Sequence, residues 1–188
     1  MGVVSKSLVH ENIGWVGKFN VSDGTELEVP AFANGSLLSA LTDVLVDGLN
    51  TKGYIFLRNF VGLAGTYIND SHTAVAITSD YADIEKGRSI DKCVRLVYAA
   101  LLPRLNSPVY PDATTGKISR ASIKELETLC EAPIRQMVAN GELTAGKAYI
   151  DPNQNVLATS TVNITLKLVP VGVARNINVS IGYTVKLQ

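Results

Sequence analysis

Only two histidines and two cysteines occur among the 188 residues. The cysteines, Cys93 and Cys130, lie far apart, and each is flanked by apolar residues at helical spacing. No CxxC, no Cys/His cluster and no even-numbered cysteine framework is present, which excludes the usual zinc sites and disulfide scaffolds. The two thiols read as reduced core residues. Charge of one sign is also lacking: Lys+Arg and Asp+Glu both number 17. Without a global basic footprint, a dedicated DNA- or RNA-binding protein is disfavoured, and the expectation is no nucleic-acid partner. Long apolar runs are missing too. None approaches the ~18 residues of a membrane span. The N-terminus, Met1-Gly-Val-Val-Ser-Lys, lacks the apolar core of a signal peptide. A protein without membrane insertion, assembled in the cytoplasm, is expected. The five Asn-x-Ser/Thr sites (Asn20, Asn34, Asn69, Asn163, Asn178) then read as by-products of an Asn/Ser/Thr-rich composition.

The remainder is ordinary for a folded domain, with 46% hydrophobic and 18% charged residues. A chain of this size buries roughly 70% of its unfolded surface and needs no staples. Residues 1–35 read as an irregular lead-in with one short strand in Val9–Phe19. Their abrupt beginning is expected to continue from a missing N-terminal part, leaving 36–188 as the domain proper. Ser36 is an N-cap candidate before Leu37, Leu38, Leu41, Val44, Leu45 and Leu49, and Gly53 supplies the stop. Tyr54 to Phe60 reads as a buried strand, and Thr73 to Thr78 as a second. Ser89–Leu105 is the clearest helix, with Ile90, Val94, Val97, Leu101 and Leu105 as its stripe and Cys93 beside it. Asp91 and Arg95 are spaced for an i,i+4 ion pair, and Pro103 should break the last turn. Ser122 opens a capping-box pattern, with Ser119 an earlier cap candidate, for a helix carrying Ile123, Leu126, Cys130, Ile134, Met137 and Val138. Pro133 should kink or split it, and Gly141 should stop it.

The C-terminal third changes period. A short strand at Ala148–Ile150 is followed by Val162, Ile164, Leu166 and Leu168, which alternate with polar residues. A second run, Ile177, Val179, Ile181, Tyr183, Val185 and Leu187, alternates as cleanly. Period 2 predicts half-buried strands, joined through Val169–Arg175 into a long closing β-hairpin. The class expected is therefore α/β (α+β): a mixed or antiparallel sheet with two or three helices packed on it. The last strand has no following element to cover it, and an unpaired edge recruits another chain.

Catalytic signals are poor. His72 lies in Asn69-Asp-Ser-His, but sequence neighbours do not make a triad. Asp80, Asp83 and Glu85 cluster without a matching histidine, and read more readily as a solvated first helical turn than as metal ligands or acid/base groups. Gly62-Leu-Ala-Gly65 and Gly14-Trp-Val-Gly17 fit neither phosphate- nor dinucleotide-binding patterns and read as turns. Arg88, Lys92, Arg95 and Arg104 give the best helix a basic flank, either a solvated face or a surface for an acidic partner. No enzyme activity, cofactor or metal is expected.

Specific wording adds to these patterns. The stretches starting at His10 (His-Glu-Asn-Ile-Gly-Trp-Val-Gly-Lys), Pro30 (Pro-Ala-Phe-Ala-Asn-Gly), Gly53 (Gly-Tyr-Ile-Phe-Leu-Arg) and Asn69 (Asn-Asp-Ser-His-Thr-Ala) resemble the DUF2586 family of Mu-like prophages. So do those starting at Leu101 (Leu-Leu-Pro-Arg-Leu-Asn-Ser-Pro), Met137 (Met-Val-Ala-Asn-Gly-Glu-Leu), Ile150 (Ile-Asp-Pro-Asn-Gln-Asn-Val) and Lys167 (Lys-Leu-Val-Pro-Val-Gly-Val-Ala-Arg). The resemblance covers nearly the whole chain. It implies the C-terminal portion of a contractile tail sheath protein, a virion structural subunit that polymerises around a tail tube and contracts to drive it into a target cell. The partners implied are neighbouring sheath subunits, the tail tube protein, the baseplate and the tail terminator. A sheet completed by arms from neighbouring subunits is also implied, with Ile177, Val179, Ile181, Tyr183, Val185 and Leu187 as the exchanged strand. Arg88, Lys92 and Arg95 become tube-contact candidates. The alternatives are another tail structural protein (tube, adaptor or terminator) or a hydrolase using Asp80, Asp83, Glu85 or His72.

Overall fold

Two helices packed on a β-hairpin hold the main core of the protein. The computed structural model describes residues 1–22, 31–184 and 186. In chain order the elements are α1 (Gly2–Lys6), α2 (Asp43–Thr51), β1 (Leu57–Phe60), β2 (Leu63–Ile68), α3 (Ile84–Leu101), α4 (Arg120–Ala139), β3 (Ala145–Ile150), α5 (Val156–Thr159) and β4 (Ile164–Val169). Strands β1–β2 and β3–β4 form two separate antiparallel pairs. The class is mixed α/β, as expected. Among the described residues the sheet is two small hairpins rather than one larger sheet.

Helix α3 packs on α4, and α4 packs on β3. The seam between them contains Cys93 and Val97 from α3, Cys130, Ile134 and Met137 from α4, then Leu143 and Ala148. Ile164, Leu166 and Leu168 on one face of β4 pack against this cluster. Each fully buried aliphatic side chain contributes about 1.5–3 kcal/mol relative to exposure, so this seam dominates the stability of the C-terminal half. Both cysteines are free and fully buried, and burial raises their thiol pKa values.

Helix α3 differs from its expected course. It begins at Ile84, with Asp83 as N-cap. Its buried residues are Glu85, Ser89, Cys93 and Val97, so Val97 and Cys93 lie inward as expected and Leu101 packs on the core. Val94 is 56% exposed, since the inward-drawn acidic first turn sets which face is buried, and Leu105, 71% exposed, lies beyond the helix end. The expected Asp91–Arg95 pair is not formed, and both side chains are exposed. As anticipated, Pro103 ends the helix, in a 3-10 turn over Leu102–Arg104. Helix α4 is capped by Ser119, whose hydroxyl accepts from the Ser122 amide at 3.3 Å. It runs through Pro133 without splitting, since packing of Cys130, Ile134 and Met137 on both sides holds it.

Other corrections follow from turn geometry. The helix foreseen from Ser36 is instead a 3-10 turn at Leu38–Ala40 followed by α2, with Gly53 at φ 80° after its end. Thr73–Thr78 forms no strand; β2 is built from the stretch around Gly62-Leu-Ala-Gly65, read above as a turn. Gly62, at φ 81°, makes the tight connection between β1 and β2. Gly65 lies against the Asn20 amide, which leaves no room for a Cβ. Nor does Val9–Phe19 form a strand: it is a chain of turns with Ile13 and Phe19 buried.

The largest difference is at the C-terminal end. β4 pairs not with residues 177–184 but with β3, in register from Ala145↔Val169 to Ile150↔Ile164. The closing hairpin is therefore β3–β4, and residues 170–184 belong to no strand. Val185 and Leu187 lie outside the described residues. The physical reason is in the pattern itself: alternation identifies a strand face, but two alternating strands can both be offered to the same partner edge.

Candidate functional site

A buried carboxylate cluster gathers four parts of the chain. Asp70 and Ser71 come from the loop after β2, and Asp83 and Glu85 from the start of α3. Asn12 comes from the N-terminal turns and Arg175 from the segment beyond β4. The three acids are each 3–4% exposed. Arg175 spans two of them, with Nε donating to Asp70 Oδ2 at 2.6 Å and Nη2 donating to Asp83 Oδ1 at 2.7 Å. Glu85 Oε1 is 3.8 Å from the same Nη2. The Asn12 amide donates to Asp70 Oδ1 at 2.9 Å, Ser71 Oγ at 3.0 Å and Glu85 Oε1 at 3.2 Å. Ser71 Oγ donates to Glu85 Oε2 at 2.5 Å. Lys86 adds a second cation at 2.7 Å from Asp83, and His72 Nε2 lies 3.4 Å from Asp70.

Buried carboxylates require this degree of pairing, since an uncompensated buried charge costs several kcal/mol. Burial pushes the Asp70 carboxyl up. The hydrogen bonds from Arg175, Asn12 and the Ser71 amide, with the Arg175 charge, outweigh it and hold Asp70 below its ordinary value. Asp83 illustrates the local cause: it sits at the α3 N-cap, yet its side chain makes no capping bond. That carboxylate serves Arg175 and Lys86 instead.

This arrangement changes the reading of the acidic motif. Asp83 and Glu85 are buried, whereas Asp80 is exposed and outside the cluster. Asp70 takes the third place. Among the described residues no group of three or more His, Cys, Asp or Glu side chains is arranged to hold a metal ion. Asp70, Asn12 and Arg175 were not anticipated. One signal was available: Arg175 is the single charged residue between Lys167 and Lys186.

The basic flank of α3 divides. The guanidinium of Arg88 donates to Ser7 Oγ at 2.7 Å, Ser7 O at 3.1 Å and Leu8 O at 3.3 Å, tying the N-terminal residues to α3. Lys92 pairs with Glu142 at 2.5 Å. Arg95 is exposed and, among the described residues, unpaired. Of the residues expected to form an exchanged strand, Ile177, Val179 and Ile181 are 80%, 75% and 92% exposed, and Tyr183 is fully exposed. A groove of about 520 Å³ is lined by α3, residues 77–81 and the inner face of β4, with Ile90, Val94, Leu166, Leu168 and Pro170 in its wall.

A family sequence profile, DUF2586, C-terminal domain, matches residues 80–188, more than half of the chain. The chain belongs to this family. The match includes Asp83, Glu85, Arg88 and Arg175; Asn12 and Asp70 precede it. No curated protein matches the chain. Two solved structures share the fold of this DUF2586 protein. One is described as the anti-feeding prophage (AFP) baseplate, 6-fold symmetrised, with a TM-score of 0.59 and 18% identity. The other is an extracellular contractile injection system, the PVC sheath complex in the contracted state, with a TM-score of 0.60 and 16% identity. The matches cover 83% and 77% of this chain but only 44% and 41% of those chains, so it spans less than half their length.

Proposed function

We propose that this DUF2586 chain is the C-terminal portion of a contractile tail sheath subunit, a structural component that is not an enzyme. It links to neighbouring copies by strand donation. The observation that carries this reading is the segment 177–183. Its alternating apolar side chains are exposed and its backbone pairs with no strand. An extended segment of that pattern gains both ladder hydrogen bonds and apolar burial when it joins a sheet edge. Among the described residues the outer edge of β4 is unpaired, and a groove lined in part by Leu166 and Leu168 of that strand offers apolar wall residues to receive side chains. The donor and acceptor are thus complementary between two copies. Ladder bonds keep subunits linked while side-chain contacts repack during contraction, so no nucleotide site is required.

The fold shared with a chain of a sheath complex supports this reading. The shared fold with a chain from a baseplate favours a second one, a baseplate-proximal tail component using the same exchange. A hydrolase is disfavoured because Asp83 and Glu85 are already engaged by Arg175, Lys86, Asn12 and Ser71. The exposed Arg95, beside Val94 and Tyr98, is the proposed tube-facing cation, while Arg88 and Lys92 support that helix from within. In the virion, the other partners proposed are the tube, baseplate and terminator proteins.

The test is Ile181→Asp in the longer protein that contains this chain. The side chain is exposed, so folding of the present chain should change by less than ~0.5 kcal/mol. Assembly into tubes, followed by electron microscopy, should be abolished. Normal contractile particles from the variant would rule out donation by this segment.

A further inference from the structure

Among the described residues, Arg175 supplies the hydrogen bonds and ion pairs that fasten the segment after Pro170 to the domain. Backbone contacts with the domain end at Pro170, whose carbonyl accepts from Thr144 Oγ1 at 3.0 Å. Among the described residues from 171 to 184, the hydrogen bonds and ion pairs to the rest of the chain all come from the Arg175 side chain. Its neighbours Ala174 and Asn176 are exposed. The receiving carboxylates belong to two rigidly joined elements, since the Ile84 amide donates to Ser71 O at 2.9 Å and the Thr73 amide to Ala82 O at 2.9 Å. Asn12 braces the same acids from the N-terminal side.

From this geometry we infer that Arg175 is a latch that sets the reach of the C-terminal arm. With Arg175 seated, the free portion starts at Asn176, and the eight residues to Tyr183 extend roughly 26 Å at about 3.3 Å per residue. With Arg175 withdrawn, the free portion starts at Val171, and thirteen residues extend roughly 43 Å. Release of one arginine therefore lengthens by roughly 60% the distance at which the arm can engage a partner. A guanidinium suits the role because its planar fork satisfies two carboxylates at once, which a single ammonium does not reproduce. The latch depends only on contacts within one chain, so it stands apart from the identity of whatever the arm engages.

The experiment uses the present chain with spin labels at Lys124→Cys on α4 and Asn176→Cys at the arm root. The native Cys93 and Cys130 are fully buried, which leaves the introduced thiols as the reactive pair. Pulsed electron spin resonance should give a narrow distance distribution in the latched chain. Arg175→Met should broaden it at least threefold, and Arg175→Lys should broaden it to an intermediate width. Since Arg175→Met leaves buried acids short of a cation and can unfold the domain, Arg175→Met with Asp83→Asn restores the charge balance. That double variant should fold, by circular dichroism, and show the same broadening. A broad distribution in the unsubstituted arm root overturns the latch, as does a width unchanged in the folded double variant. Failure of Ile181→Asp to block assembly leaves this result untouched, so the two readings fail separately.

Discussion

Introducing a single methyl group at Gly146 should loosen the seam beneath β3. Gly146 stands opposite Leu168 in the β3–β4 pair. A Cβ built there would lie 2.5 Å from Ile134 Cγ2 and 2.9 Å from Leu168 Cδ2. Ile134 is fully buried between α4 and the hairpin, so it has no solvent side into which to rotate. Overpacking of this kind costs about 1–3 kcal/mol. Replacing a strand glycine offsets roughly 0.5–1 kcal/mol by reducing the entropy of the unfolded chain. The net expectation for Gly146→Ala is a loss of about 1–2 kcal/mol, which lowers the melting temperature by roughly 2–8 °C in a chain this long. Urea denaturation with an unchanged slope would measure it. Ile134→Leu moves the branch one carbon outward at nearly constant volume and should cost less than ~1.5 kcal/mol alone. Combined with Gly146→Ala it should recover at least ~0.5 kcal/mol relative to the sum of the two. Stability of Gly146→Ala within ~0.3 kcal/mol of the parent, or strict additivity, would refute the packing argument.

The carboxylate cluster predicts an acid-sensitive fold. Because Asp70 titrates below its ordinary 3.8 when folded, its stabilisation is complete above that pH and is lost as pH falls towards the lower folded value. Urea midpoints should therefore drop on acidification through this range, and less steeply in Arg175→Met. Glu11 leaves a residual slope, because Lys18 and the Leu8 amide overcome its burial and lower it too. Equal slopes would contradict the assignment. At the proposed tube-facing surface, Arg95→Glu should leave stability within ~0.5 kcal/mol. If the proposed sheath role holds, it should also weaken co-sedimentation with a tail tube protein; unchanged binding would remove Arg95 from that interface.

The elements legible in the sequence were those whose local period and punctuation agree with the fold. Alternation in Val162–Leu168 marked β4, Pro103 marked the end of α3, and Ser119 with Gly141 bracketed α4. The α/β class and the two buried thiols followed from the same local reasoning. Other features depended on partners distant in sequence. The first turn of α3 is buried where a solvated one is expected, because Asp83 and Glu85, polar by any scale, are drawn inward by Arg175, roughly ninety residues away. Gly62 makes a turn as read, but Leu63–Gly65 belongs to a strand because Asn20 and β1 close on it, which no local propensity records.

By itself, then, the amino-acid order determined where helices and strands can form and that residues 177–183 have one apolar face. Only the tertiary structure decided which strand β4 takes as partner and that the following segment stays uncovered. It also decided that a lone arginine there finds three buried acids. The physical reason is that period and capping act over a few residues, whereas strand choice and charge compensation depend on which surfaces meet once the chain has closed.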